Sequence, residues 1–138
     1  MKSLDKGIGS KLIEVLSRDD QIAAAYLFGS YLNGNLTDES DVDFGILFKF
    51  GKSLDFSGFE KLADKLSDIF KRTADIVLLN DASPIICMQV LKYGKKIYEV
   101  DSHAVNEFFI KVVTDYADLK IVRRPIEQRI LAGQLFQS

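Results

Sequence analysis

Two short groups of residues in the first third of the chain carry side chains suited to chemistry on phosphate. Gly29-Ser30 ends an apolar run, and Asp41-Val42-Asp43 follows after a ten-residue interval. A glycine at the end of a strand lets the backbone turn sharply and approach a ligand closely. If the next residues begin a helix, its free N–H groups and the Ser30 hydroxyl favour phosphate. The sequence therefore predicts a phosphate-binding turn at Gly29 and Ser30.

Three carboxylates are expected beside that turn. Asp41 and Asp43 are two residues apart at the start of a predicted strand, so their side chains leave one face of it while Val42 points into the core. Asp75 begins the next predicted strand and joins the pair if the two strands are neighbours. Carboxylates this close raise one another's pKa, so they need a counter-charge. Two Mg²⁺ ions would supply it, because Mg²⁺ prefers oxygen ligands and takes the remainder from water and substrate phosphates.

A phosphate-binding turn beside a site for two metal ions is suited to in-line transfer at a phosphorus atom. The alternative is that the acidic loop is only a solvated turn and that Asp75 is an isolated charge at a strand end. Two further acids of the loop, Asp38 and Glu39, either cap and solvate it or tune the metal ions from outside the ligand set.

The composition of the chain is that of a globular protein and limits the possible functions. With 138 residues, 47% of them hydrophobic, it is predicted to form one domain over residues 1–138, with a C-terminal helical segment over residues 102–138. No apolar run is long enough to cross a membrane. The single cysteine, Cys87, is typical of a reducing cytoplasm, where we expect the protein to act. A net charge of −2 gives no general attraction for nucleic acid, so no nucleic-acid template is expected.

Hydrophobic periodicity and cap residues predict alternating helices and strands. The predicted order is α-β-β-α-β-α-β-α, which gives an α/β (α+β) fold with a mixed sheet of about four strands and helices packed on it. Pro125 is expected to interrupt the last helical pattern, with a final helical piece running to Leu135. The predicted strands are Ile22–Phe28, Val42–Phe48, Ala74–Leu79 and Lys95–Val100.

The spacing of Gly29-Ser30 and Asp41-Val42-Asp43 resembles the signature of the DNA polymerase β-like nucleotidyltransferase superfamily. The small size of the chain and the segment ADIVLLNDASPIICMQVLKYGKKIYEVD are similar to the minimal nucleotidyltransferases. Within these, the chain is most similar to MntA-type antitoxins, which are encoded with a HEPN-domain ribonuclease toxin. The similarity extends from about Ile22 to Tyr116.

This resemblance implies a mixed-sheet nucleotidyltransferase that uses ATP and Mg²⁺ to transfer AMP to a tyrosine hydroxyl of the cognate HEPN toxin, which neutralises the toxin. Gly29 and Ser30 would then bind the nucleotide. Asp41 and Asp43 would bind both metal ions of a two-metal mechanism. Asp75 would be the third catalytic carboxylate and would complete the metal site that activates the attacking hydroxyl. Family members often have arginine where this chain has Asn33, so a cationic contribution from that position is missing.

Two alternatives to protein adenylylation remain open from the sequence. In the first, AMP is transferred to a small-molecule hydroxyl, as in aminoglycoside-modifying enzymes, although these usually carry an extra domain that holds the acceptor. In the second, the protein is a non-catalytic antitoxin that neutralises its partner by binding alone. The presence of all three carboxylates favours an enzyme over this second alternative.

Overall fold

The computed structural model describes residues 6–29 and 41–137, and it describes side chains for residues 7–29 and 41–119. Helices and strands alternate in the predicted order. The helices are α1 (Lys6–Ser17), α2 (Phe56–Phe70), α3 (Pro84–Tyr93) and α4 (Ser102–Gln137), and the strands are β1 (Ile22–Phe28), β2 (Val42–Phe48), β3 (Ala74–Leu78) and β4 (Lys95–Glu99).

The four strands form one mixed sheet in the order β3-β2-β1-β4. Strand β1 pairs antiparallel with β2 and β4, whereas β2 and β3 run parallel and are connected through α2. The end of β1 therefore meets the starts of β2 and β3 at one end of the sheet. Gly29 and the three predicted carboxylates lie at this end of the sheet. The strand arrangement that the prediction required is therefore confirmed.

Both faces of the sheet are covered by helices. On one face α1 and α2 pack over a core that contains Phe44, Phe48 and Leu66, and on the other α3 and α4 pack over Tyr26, Leu47 and further residues. The six residues from Ile22 to Leu27 are all buried because β1 is a central strand that is covered on both sides. This explains why β1 is a continuous apolar run rather than an alternating one.

The ends of α3 follow the predicted caps. The Ser83 side chain accepts a hydrogen bond from the Ile86 N–H, Pro84 is the first helical residue, and the Gly94 N–H donates to the Val90 carbonyl. This helix therefore ends beside the last residues of β1 and the first residue of β4. Its last turn lies at the same end of the sheet as Asp43.

The prediction that Pro125 interrupts the C-terminal helix is wrong, because α4 continues without a break from Ser102 to Gln137. Proline removes one backbone hydrogen bond and clashes with the preceding turn, but neither effect forces the chain out of the helix. Strong helix formers such as Arg123, Arg124 and Gln128 surround it and favour continuation. Within the described residues, no helix is long and apolar enough to span a membrane.

Candidate active site

The parallel register of β2 and β3 brings two acidic residues side by side. Asp43 lies directly opposite Asp75, and this pairing is fixed by the hydrogen bond from the Val42 N–H to the Thr73 carbonyl, at 2.9 Å, one residue earlier. Neighbouring residues in register project from the same face of a sheet. Asp41 is the exposed residue immediately before β2. The strand pairing on which the assignment of Asp75 depended is therefore present.

Gly29 forms the turn that was predicted at the end of β1. Its φ of +83° lies in the left-handed region, which glycine adopts without steric cost. A Cβ at this position would overlap the Asp43 carboxylate. The backbone of the turn thus contacts Asp43 directly, as a close-approach glycine should, and Gly29 and Asp43 belong to one site.

The electrostatic environment of Asp43 reflects this crowding. Partial burial raises its pKa, and the negative charges of Asp75 and Asp41 raise it further. Asp43 therefore experiences the negative charges of both other acids. A cation at this position would relieve the repulsion and favour the ionised form of Asp43.

The donor atoms fit a hard divalent cation, since they are carboxylate oxygens on strands. Within the described residues, no three acidic, histidine or cysteine side chains are close enough to hold one metal ion together. A complete protein cage is not needed for Mg²⁺, which usually binds through one or two carboxylates and completes its shell with water and substrate phosphates. Asp43 and Asp41 or Asp75 could meet that requirement once a nucleotide triphosphate is present.

The raised pKa of Asp43 predicts a specific dependence of stability on pH. Because the folded state holds the proton of Asp43 more tightly than the unfolded chain does, the ionised carboxylate destabilises the fold, and this penalty grows as pH rises above 3.8. An asparagine side chain at this position mimics the protonated form. We therefore expect Asp43→Asn to raise the urea midpoint at neutral pH in EDTA, with a gain that shrinks as pH falls toward 3.8 and approaches zero below that value.

The matched control is Asp64→Asn, which removes an exposed carboxylate on α2. It should leave the urea midpoint almost unchanged, since surface charges contribute little to stability. Adding Mg²⁺ should then stabilise the unaltered chain more than the Asp43→Asn form, because a ligand that binds only the folded state raises its stability. An Asp43→Asn variant that is less stable than the unaltered chain at neutral pH would contradict the proposed repulsion.

Several residues of the predicted site lie outside the described part of the chain. These are Ser30, Asn33, Asp38 and Glu39. The helix expected after Ser30 falls in the same segment. Nucleotide binding by Ser30 therefore stays a prediction, as do the functions assigned to Gly29, Asp41, Asp43 and Asp75.

Within the described part of the chain, two of the cavities lie on the face of the sheet that α3 and α4 cover. The larger, of about 460 Å³, is between the starts of these helices and the far ends of β2 and β3, and its lining includes Leu79, Phe108 and Val112. It is at the opposite end of the sheet from the carboxylates. The smaller, of about 330 Å³, adjoins Gly29 and is lined by Phe28, Gly29, Gln89 and Tyr93. Sequence patterns do not indicate this second cavity, because helical periodicity does not show that Gln89 and Tyr93 face the end of β1.

Comparison with known protein families gives an independent assignment. The family model described as polymerase beta nucleotidyltransferase matches residues 10–103. The chain is also 32% identical over 127 residues to the protein adenylyltransferase MntA of Shewanella oneidensis, covering 90% of this chain and 88% of that protein. The family match includes Gly29 and the segment that carries the three carboxylates.

Solved structures show the same likeness in three dimensions. A chain in a crystal structure of a toxin–antitoxin with AMP-PNP has a TM-score of 0.73 and 29% identity, covering 89% of this chain and 98% of that one. A chain in the structure of a tri-AMPylated Shewanella oneidensis HEPN toxin in complex with its MNT antitoxin has a TM-score of 0.71 and 26% identity, covering 93% and 99% of the two chains. The chain belongs to the polymerase beta nucleotidyltransferase family and is a homologue of the MntA protein adenylyltransferases.

Proposed function

We propose that this protein is an antitoxin that transfers AMP from ATP to a tyrosine hydroxyl of a cognate HEPN ribonuclease toxin and thereby neutralises it. The observation that carries the proposal is the cluster formed by Gly29, Asp43 and Asp75 at one end of the sheet, in a chain that is homologous to MntA. The solved relative with a tri-AMPylated HEPN toxin supports both the reaction and the type of partner.

The reaction replaces one bond at the α-phosphorus of ATP with another. The tyrosine oxygen bonds to this phosphorus, the bond to the bridging oxygen breaks, and pyrophosphate leaves. A tyrosine hydroxyl has an unperturbed pKa near 10, so its proton must be removed during attack at neutral pH. Asp75 is the candidate to accept or relay that proton, since it is exposed beside Asp43 and can be reached by a protein substrate.

The other residues position the nucleotide. The Gly29 turn would bring backbone against the triphosphate, and Asp41 and Asp43 would hold two Mg²⁺ ions together with the phosphate oxygens. When bound, the ions would offset negative charge on the triphosphate and favour loss of the acceptor proton. Partial burial of Asp43 strengthens its interaction with a cation, because the effective dielectric constant is lower than in water.

We place the protein in the cytoplasm, where ATP is available and where reducing conditions suit a chain with a single cysteine. The overall composition, with 20 acidic against 18 basic residues, gives no general affinity for a nucleic-acid template. We therefore propose the toxin, rather than a nucleic acid, as the macromolecular partner, and its tyrosine hydroxyl would lie against the carboxylates.

The test is transfer of label from ATP to the toxin. The purified chain is mixed with its cognate HEPN toxin, Mg²⁺ and ATP labelled at either the α- or the γ-phosphate. Label from the α-position should appear on the toxin, label from the γ-position should not, and mass spectrometry should place the added AMP on tyrosine. Label that reaches only small molecules would reject the protein acceptor and favour an antibiotic-modifying activity. Label from the γ-position on the toxin would reject nucleotidyl transfer altogether.

A further inference from the structure

The cavity beside Gly29 has a lining that suits a nucleobase. Tyr93 is 69% exposed at the last position of α3, and within the described residues neither a ring contact nor a hydrogen bond accounts for its position there. Phe28 provides a second aromatic wall from β1, and the exposed Gln89 lies one helical turn before Tyr93. Aromatic faces stack on bases at a gain that does not depend on the base. A volume of about 330 Å³ is within the range of small-molecule sites.

The position of this cavity relative to the carboxylates matches the order of groups in a nucleotide. Phe28 lies directly opposite Asp43, and Asp43 directly opposite Asp75, so the three residues form a row across β1, β2 and β3. With strands about 4.8 Å apart, the row is about 10 Å long. A base beside Phe28 and Tyr93 would place its α-phosphate near Asp43 and Asp75, with the triphosphate against the Gly29 turn that contacts Asp43.

We infer that this cavity binds the adenine base of ATP, with Tyr93 stacking on the ring and Gln89 determining the choice of base. The Gln89 side-chain amide offers both a donor and an acceptor, which is the arrangement that recognises adenine in a bidentate manner. On the edge of the base that carries N7, adenine presents a donor beside an acceptor, whereas guanine presents two acceptors, so the amide makes both hydrogen bonds only with adenine. This inference rests on the proposed nucleotidyl transfer, and it adds the residues that select the nucleotide.

The experiment measures binding by isothermal titration calorimetry with three probes: ATP, GTP and inorganic tripolyphosphate, each with Mg²⁺. Tyr93→Ala should weaken ATP binding about 5- to 150-fold and leave tripolyphosphate binding unchanged, because only the base contact is lost. Tyr93→Phe should bind ATP normally, since it keeps the ring. Gln89→Ala should reduce the preference for ATP over GTP by about tenfold.

Phe50→Ala is the matched control, because Phe50 is 96% exposed and lies at the opposite end of the sheet. It removes an exposed aromatic ring without touching the cavity and should leave ATP binding unchanged. Normal ATP affinity in Tyr93→Ala would overturn the inference. An equal loss of ATP and tripolyphosphate binding would also overturn it, because it would show a general disturbance of the site.

The two proposals fail in different ways. If the unaltered chain binds ATP through Tyr93 but transfers no AMP to the toxin, the proposed function is wrong and the base site stands. If AMP transfer occurs and Tyr93→Ala leaves the KM for ATP unchanged, the base site is wrong and the function stands. No measurable binding of ATP to the unaltered chain would overturn both.

Discussion

Asp43→Asn is expected to lower AMP transfer to the toxin by at least about a hundredfold, the size of effect typical of removing one preorganised electrostatic group from an active site. The substitution keeps the shape of the side chain and removes its negative charge. Asp43 is the member of the site that contacts the Gly29 turn, faces Asp75 and experiences the charges of both other acids. No other described carboxylate combines these contacts, so its loss should affect metal binding and nucleotide position together.

The measurement is the initial rate of label transfer from α-labelled ATP to the toxin at saturating Mg²⁺. Asp64→Asn, which removes an exposed carboxylate on α2, should transfer AMP at the normal rate. Because Asp43→Asn should also be more stable than the unaltered chain in EDTA, unfolding would not explain its inactivity. A variant that gains stability and loses activity is a pattern expected for a carboxylate held under repulsion for function.

The same variant separates an enzyme from an antitoxin that acts by binding alone. We expect Asp43→Asn to form the complex with the toxin while failing to neutralise its ribonuclease activity after dilution. Complete neutralisation by the Asp43→Asn protein, with no AMP on the toxin, would show that binding is sufficient and would reject the enzymatic proposal.

Much of this fold follows from local sequence patterns. The strands β1 and β2 are short apolar runs bounded by turn residues, and the caps of α3 are a Ser-Pro pair and a glycine. In each case the local signal agrees with what packing on both faces of the sheet requires, so the bounds could be predicted to within one or two residues. The acidic residues were found from a different signal, the spacing of Gly29-Ser30 and Asp41-Val42-Asp43 in the sequence.

Other features are not specified by any single stretch of sequence, because they depend on contacts between distant segments. The register that places Asp43 opposite Asp75 arises from pairing of β2 and β3, and no local pattern specifies it. The contribution of Tyr93 to a cavity depends on where α3 ends relative to β1. The continuation of α4 through Pro125 is different in kind, because the local cost of one proline is offset by the helical preference of the residues on both sides of it.

Gly29→Ala is expected to reduce AMP transfer at least about a hundredfold while costing only about 1–2 kcal/mol of stability, the usual penalty of a side chain in the left-handed region. The added Cβ would overlap the outer atoms of the Asp43 side chain, which can rotate away. The fold is thereby preserved, but the carboxylate leaves the position in which it faces the nucleotide turn. The new methyl group also stands where the backbone should approach the triphosphate.

Gly51→Ala provides a closely matched control. Gly51 has a φ of +71°, close to that of Gly29, but a Cβ there would meet nothing within 4 Å. Both variants should therefore lose similar stability in urea denaturation, whereas only Gly29→Ala should lose transfer activity and affinity for ATP. Equal activity in the two variants would show that the contact between Gly29 and Asp43 is unimportant for the reaction. A much larger loss of stability in Gly29→Ala would show that Asp43 cannot move, and that the turn and the carboxylate form one rigid unit.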